Sequence, residues 1–189
     1  MYNKPNKRDN NIWASSLRAV LSVSPKSEFE YMKIIFTKGN AKYGHLKCIR
    51  NNGTSTETQM PEQGVAPHDM IHYVVEKYFV IKGAFYGQLK AGADISFKLE
   101  HNEISKEIAN KIDVWQTESM VESLQSLLWS GAKPDYESFQ YMTEQACLSR
   151  NMPVPKIEFD HFEAMANALL SLNNQWKSLD KGQQISVEF

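Results

Sequence analysis

The sequence predicts an α+β fold, in which a small antiparallel sheet (an N-terminal hairpin or meander plus a C-terminal strand) packs against about five helices. Three observations lead there. β-Branched and alternating runs fill positions 32–58, apolar residues recur at threes and fours between 68 and 170, and the chain finishes on the alternating Ile185-Ser186-Val187-Glu188-Phe189. At 189 residues and 42% apolar content the chain can bury one sizeable core, so a single domain over 32–189 is expected.

Met32-Lys33-Ile34-Ile35-Phe36-Thr37 reads as the first strand and stops at the turn signal Lys38-Gly39-Asn40. His45 to Arg50 places Leu46 and Cys48 on one face. Asn51-Asn52-Gly53 then marks a tight turn before the polar run Thr54 to Thr58, whose Thr, Ser and Glu suit an edge strand with one wet face. Pro61 and Gly64 close the sheet segment. The next helix is expected from Pro67, which lacks the amide proton a first turn does not need, to about Phe79, with Met70, Ile71, Val74, Val75, Tyr78 and Phe79 as its core face.

Gly83 to Gly92 reads as a short helix bounded by glycines, with Gly87 allowing another backbone to approach closely. Its spacing matches neither a P-loop nor a dinucleotide fingerprint. From Asn102 the pattern is helical, through Ile104, Ile108, Ile112, Trp115, Met120, Val121, Leu124, Leu127 and Leu128, and Gly131 and Pro134 end it. A helix from about Asp135 carries Phe139, Met142 and Ala146. After the linker Met152-Pro153-Val154-Pro155, a last helix is expected to start at Asp160 with Glu163 as its capping box. The terminal strand is expected to pair with the first hairpin.

Residues 1–31 read as a partly flexible extension, Asn-rich and poor in apolar residues apart from a weakly amphipathic stretch, Ile12 to Val23, ahead of Pro25. Its Lys4, Lys7 and Arg8 fit a mobile terminus better than a nucleic-acid arm. Across the chain 21 Lys and Arg nearly balance 22 Asp and Glu, which gives no electrostatic reason to expect nucleic acid or an anionic membrane. No run approaches the roughly 18 apolar residues of a span, and no secretory signal opens the chain. Cys48 and Cys147 belong to no metal or redox spacing, so a reduced cytoplasmic pair is expected.

Reactive side chains gather at a meaningful spacing in one place, Pro67-His68-Asp69-Met70-Ile71-His72-Tyr73-Val74-Val75-Glu76. On a helix His68, His72 and Glu76 form a polar stripe along one margin of the apolar arc. Two histidines at i and i+4 can face one metal, as in His-Glu-x-x-His zinc sites, and zinc is the cofactor this spacing suggests. Here Asp69 stands where those sites place a general-base Glu, and its shorter reach argues against a peptidase. Glu76 lies about 12 Å along the axis from His68 and is poorly placed to complete the same site. A third ligand must come from elsewhere, with His45, His101, Glu122 and His161 as candidates.

The order of these segments resembles a family of uncharacterised bacterial proteins. The resemblance rests on a Met-Lys-Ile-x-Phe-Thr strand (Met32 to Thr37), Leu-x-Cys-x-Arg (Leu46 to Arg50) and an Asn/Asp-Gly turn (Asn52-Gly53). It continues with His-Asp-x-x-His-Tyr-x-Val-Glu (His68 to Glu76) and Phe-Tyr-Gly-x-x-x-x-Gly (Phe85 to Gly92), and covers about a third of the chain. It implies a compact intracellular bacterial protein and carries no assigned activity. It also makes Met32 the natural start of the shared domain, with the preceding segment an extension or an overcalled start.

The leading expectation from sequence is a cytoplasmic binding or accessory module without chemistry of its own, its stripe a structural hydrogen-bond network and its long apolar helix a candidate homodimer face. The alternative is a metal-dependent hydrolase with His68 and His72 as ligands and Asp69 or Glu76 orienting a ligand or activating water. A third reading uses the stripe as a metal-free acid/base or small-molecule site.

Overall fold

The computed structural model describes residues 31–40, 42–96 and 111–189. The expected extension up to Glu30, the apolar positions Ile104 and Ile108 and the candidate ligand His101 lie outside them. Four strands, β1 (Met32–Thr37), β2 (Tyr43–Arg50), β3 (Ser55–Pro61) and β4 (Gln184–Glu188), form one antiparallel sheet in the order β3-β2-β1-β4. The C-terminal strand thus returns to the first one, with Ile185 opposite Phe36 and Val187 opposite Ile34. Polar β3 takes an edge, as its Thr, Ser and Glu suggest.

Alternation decides which face is covered. Met32, Ile34 and Phe36 of β1, Leu46 and Cys48 of β2 and Met60 of β3 are wholly buried, each burial worth about 1.5–3 kcal/mol for the larger side chains. Lys33, Lys47 and Glu57 occupy the other face, where Lys47 and Glu57 pair directly across the strands at 2.9 Å. The register is therefore pinned by the core, since a one-residue slip would turn the apolar set outward.

Five helices complete the described residues: α1 (His68–Tyr78), α2 (Phe85–Lys90), α3 (Lys111–Trp129), α4 (Tyr136–Ser149) and α5 (Phe159–Ser178). α1 buries Met70, Ile71, Val74 and Val75 and packs on α2, α3 and α5, while α4 lies against α3 and α5. Pro67 sits at the cap rather than in the first turn, its carbonyl accepting from the amides of Met70 and Ile71. α4 starts as expected, with the Asp135 side chain accepting from the Ser138 amide at 2.8 Å. α5 does not: it begins at Phe159 with Glu158 at the cap and no side-chain cap, so the Asp160–Glu163 capping box is absent.

The α3 pattern is only half a core stripe. Met120, Val121, Leu124 and Leu128 are buried within the chain, whereas Ile112 and Trp115 stand exposed. Among the large aromatics, Tyr73, Tyr86 and Trp176 are core, while Tyr78 and Trp129 face solvent. Among the described residues no helix is long and apolar enough to cross a membrane.

A candidate metal centre between two helices

The site forms where the polar margin of α1 meets α3. Asp69 in the first turn and Lys77 in the last complement the α1 dipole, and the helical repeat puts His68 and His72 one turn apart on the side facing α3. Their Nε2 atoms lie 3.1 Å from each other. From α3, Glu118 brings Oε2 to 3.4 Å from Nε2 of His68 and Oε1 to 3.3 Å from Nε2 of His72. One ligand atom from each residue, two imidazole nitrogens and a carboxylate oxygen, therefore lie within 4.8 Å of one another around a common convergence point.

Those spacings carry chemical information. Ligands held about 2.0–2.1 Å from a tetrahedral zinc ion lie about 3.4 Å apart, close to the separations seen here. The opposite nitrogen of each ring is already engaged. Nδ1 of His72 donates to Oε1 of Glu76 at 3.2 Å, and Nδ1 of His68 donates to Oε1 of Gln125 at 3.1 Å. Gln125 is oriented in turn by donating its amide to Oε1 of Gln63 at 2.7 Å. Each of the two candidate imidazoles thus has the outer partner that metal-binding histidines use to fix ring and tautomer.

His72 is buried, while the side chains of His68 and Glu118 keep 38% and 30% exposure, so the convergence point opens to solvent on their side. Burial disfavours a charged His72, but its hydrogen bonds to the Glu118 and Glu76 carboxylates outweigh it and raise its pKa to about 9. Burial alone would push Glu118 up; its hydrogen bonds and charge interactions with His68 and His72 instead hold it far below the carboxylate range. Glu76, fully buried, is pushed up by desolvation against the pull of His72 and two backbone amides. The cluster is one where a cation, proton or metal, is strongly favoured.

The sequence candidates are distributed as follows. His68 and His72 come together; Glu76 touches His72 on the ring edge away from the convergence point. Asp69 contributes no atom to the ligand cluster, and its carboxyl is raised by burial against the nearby imidazoles. Glu122, one turn beyond Glu118, points to α4, where it pairs with Arg150 at 2.6 Å. His45 lies on β2 and His161 is exposed on α5. His45 instead lines an open hollow of about 510 Å³ at the β1–β2 turn with Lys38, Lys42 and Gln59, where the nearby Glu62 carboxylate is taken up by the Gly39 amide and Lys38. The metal-ligating side chains gather instead between α1 and α3.

The sequence pattern alone does not single out Glu118. The available signal was its spacing of seven from Gln125, which puts both on one face of α3 two turns apart. No family model matches the chain, nor does any curated protein or solved structure.

Proposed function

We propose that this protein binds a divalent transition metal, zinc by its donor set, at His68, His72 and Glu118, and that it is a metal-dependent hydrolase. The observation that carries the proposal is that the two Nε2 atoms lie 3.1 Å apart with one Glu118 oxygen 3.4 Å from that of His68 and the other 3.3 Å from that of His72, while the far nitrogens of both imidazoles are held by other groups. Three protein ligands leave a fourth position, the arrangement of catalytic rather than structural zinc sites. That position faces solvent beside His68 and Glu118, where a water or a substrate oxygen would be polarised.

The competing reading is a metal-free network in which His72 is an imidazolium between Glu76 and Glu118, serving a binding module without chemistry. Elemental analysis of tag-free protein separates the two. About one zinc or other transition metal per chain, lost in a His68→Ala/His72→Ala variant, supports the metal centre and directs a substrate screen. No metal after reconstitution overturns it.

Within the same proposal the protein works in a bacterial cytoplasm, which the two unpaired, buried thiols support. The near balance of charges supports partners other than nucleic acid. A homodimer through α3 draws less support, because that helix buries Met120, Val121, Leu124 and Leu128 within its own chain.

A further inference from the structure

Glu76 is an expensive residue to keep. Its carboxylate is 0% exposed and, among the described residues, pairs with no cationic side chain other than an imidazole, an arrangement that costs several kcal/mol unless every oxygen is bonded. Among the described residues the compensation comes from two places. Oε1 accepts from His72, and Oε2 accepts from the amides of Tyr86 at 2.8 Å and Gly87 at 3.3 Å, the opening of α2.

The segment that supplies those amides is built for close approach. A Cβ at residue 87 would lie 2.0 Å from the carbonyl oxygen of Lys82, so only glycine lets the chain fold back tightly enough at this point. Tyr86 is itself wholly buried, and its hydroxyl donates to the Asp69 carbonyl at 2.9 Å, tying α2 back to the first turn of α1. With Oε2 taken by two N–H donors, the ionised Glu76 carboxylate presents Oε1 to His72 only as an acceptor.

We infer that Glu76, held by the Tyr86-Gly87 backbone, is a positioning residue that keeps the His72 proton on Nδ1 and so leaves Nε2 free for the metal. The inference rests on the metal reading of the site and adds the part played by α2, which no ligand atom reaches. Glu76 is in this account neither a ligand nor a general base, since its carboxylate lies on the far side of the His72 ring from the convergence point.

The discriminating variant is Glu76→Gln. A glutamine has one acceptor and one NH₂ group; if its oxygen stays with the α2 amides, its NH₂ faces Nδ1, which must then give up its proton to Nε2, where it blocks the metal. Zn(II) affinity, measured by chelator competition, is expected to fall about 10–100-fold, with Glu122→Ala, whose partner is Arg150, unchanged. A Glu76→Gln protein that folds and binds within about threefold of wild type overturns the inference. Long-range ¹H–¹⁵N spectra of metal-free wild-type protein under alkaline conditions, where the imidazole carries one proton, give a second readout that needs no variant. A proton on Nδ1 of His72 supports the positioning role; one on Nε2 overturns it. Because this second readout involves no metal, it decides the role of Glu76 even if wild-type protein binds none, an outcome that by itself would remove only the metal reading.

Discussion

His72 and Glu76, one helical turn apart on α1, meet through Nδ1 and Oε1 at 3.2 Å in a setting where the imidazole is nearly buried and the carboxylate wholly so. The pair divides the labour of the site. One edge of the ring is anchored to the protein, and the other is presented to His68 and Glu118.

Glu118→Gln is expected to weaken metal binding far more than Glu122→Ala, although the two positions are adjacent turns of one helix. Saturating wild-type protein at about a hundredfold excess over the dissociation constant should add about 2.7 kcal/mol, raising Tm by roughly 5–10 °C for a domain of this size. Thermal melts with and without zinc read both effects. An equal response in the two variants would remove Glu118 from the ligand set.

In metal-free protein the pH dependence should follow His72. Its folded pKa is raised from 6.5 to about 9, against His68, Asp69 and Glu76 on its own helix and Glu118 from α3. The stabilisation is therefore complete below about pH 6.5 and disappears as pH rises through about 9, a loss on the order of 3 kcal/mol. Urea unfolding in chelator across that window should show the decline, and zinc, which takes the proton's place, should suppress it. A flat profile in chelator would contradict the carboxylate–imidazole–carboxylate arrangement.

Much of this organisation could be read from the residues. Alternation at Met32, Ile34 and Phe36, the Asn52-Gly53 turn and the histidine pair at i and i+4 are local signals, and each led to the right element. What failed was non-local. Glu118 is identified only by the rotation of α3 against α1, and α3 gives a blurred pattern because it packs on both α1 and α4. Its Ser119 and Ser123 are buried, while Ile112 and Trp115 are exposed, so burial along it does not track hydrophobicity. The early start of α5 has a similar cause: Phe159 joins the helix and stacks edge-on to Tyr136 of α4 at 5.5 Å, with no cap required.

Gly87→Ala is expected to destabilise the fold by about 1–3 kcal/mol or more, as overpacking does, because the new methyl group would meet backbone that cannot swing away. Gly53→Ala makes a useful contrast. It has open space around it and a φ of +82°, so its cost is conformational alone, about 1 kcal/mol. Denaturant midpoints of the two variants should differ in that order, and reversal would mean that the α1–α2 connection yields.

Neither cysteine should react under native conditions. Burial raises the Cys48 thiol to about 12 despite the nearby Arg50, and Cys147 is wholly buried on α4. A chromogenic thiol reagent at pH 8 should detect neither in folded protein and both in denaturant. Rapid native labelling of either would point to local opening of β2 or α4.

Arg50 gives the α2 arrangement a second side. Its guanidinium donates to the carbonyls of Leu89 and Ala93 at 2.6 Å each, at the opposite end of the helix from the amides that bind Glu76. A six-residue helix is therefore strung between an anion at its positive pole and a cation at its negative pole, like a dielectric bridge between two plates. Each charge lowers the cost of the other through the peptide dipoles they share. Loss of either should be felt at the other end, making Arg50 and Glu76 energetically non-additive even though they touch different residues.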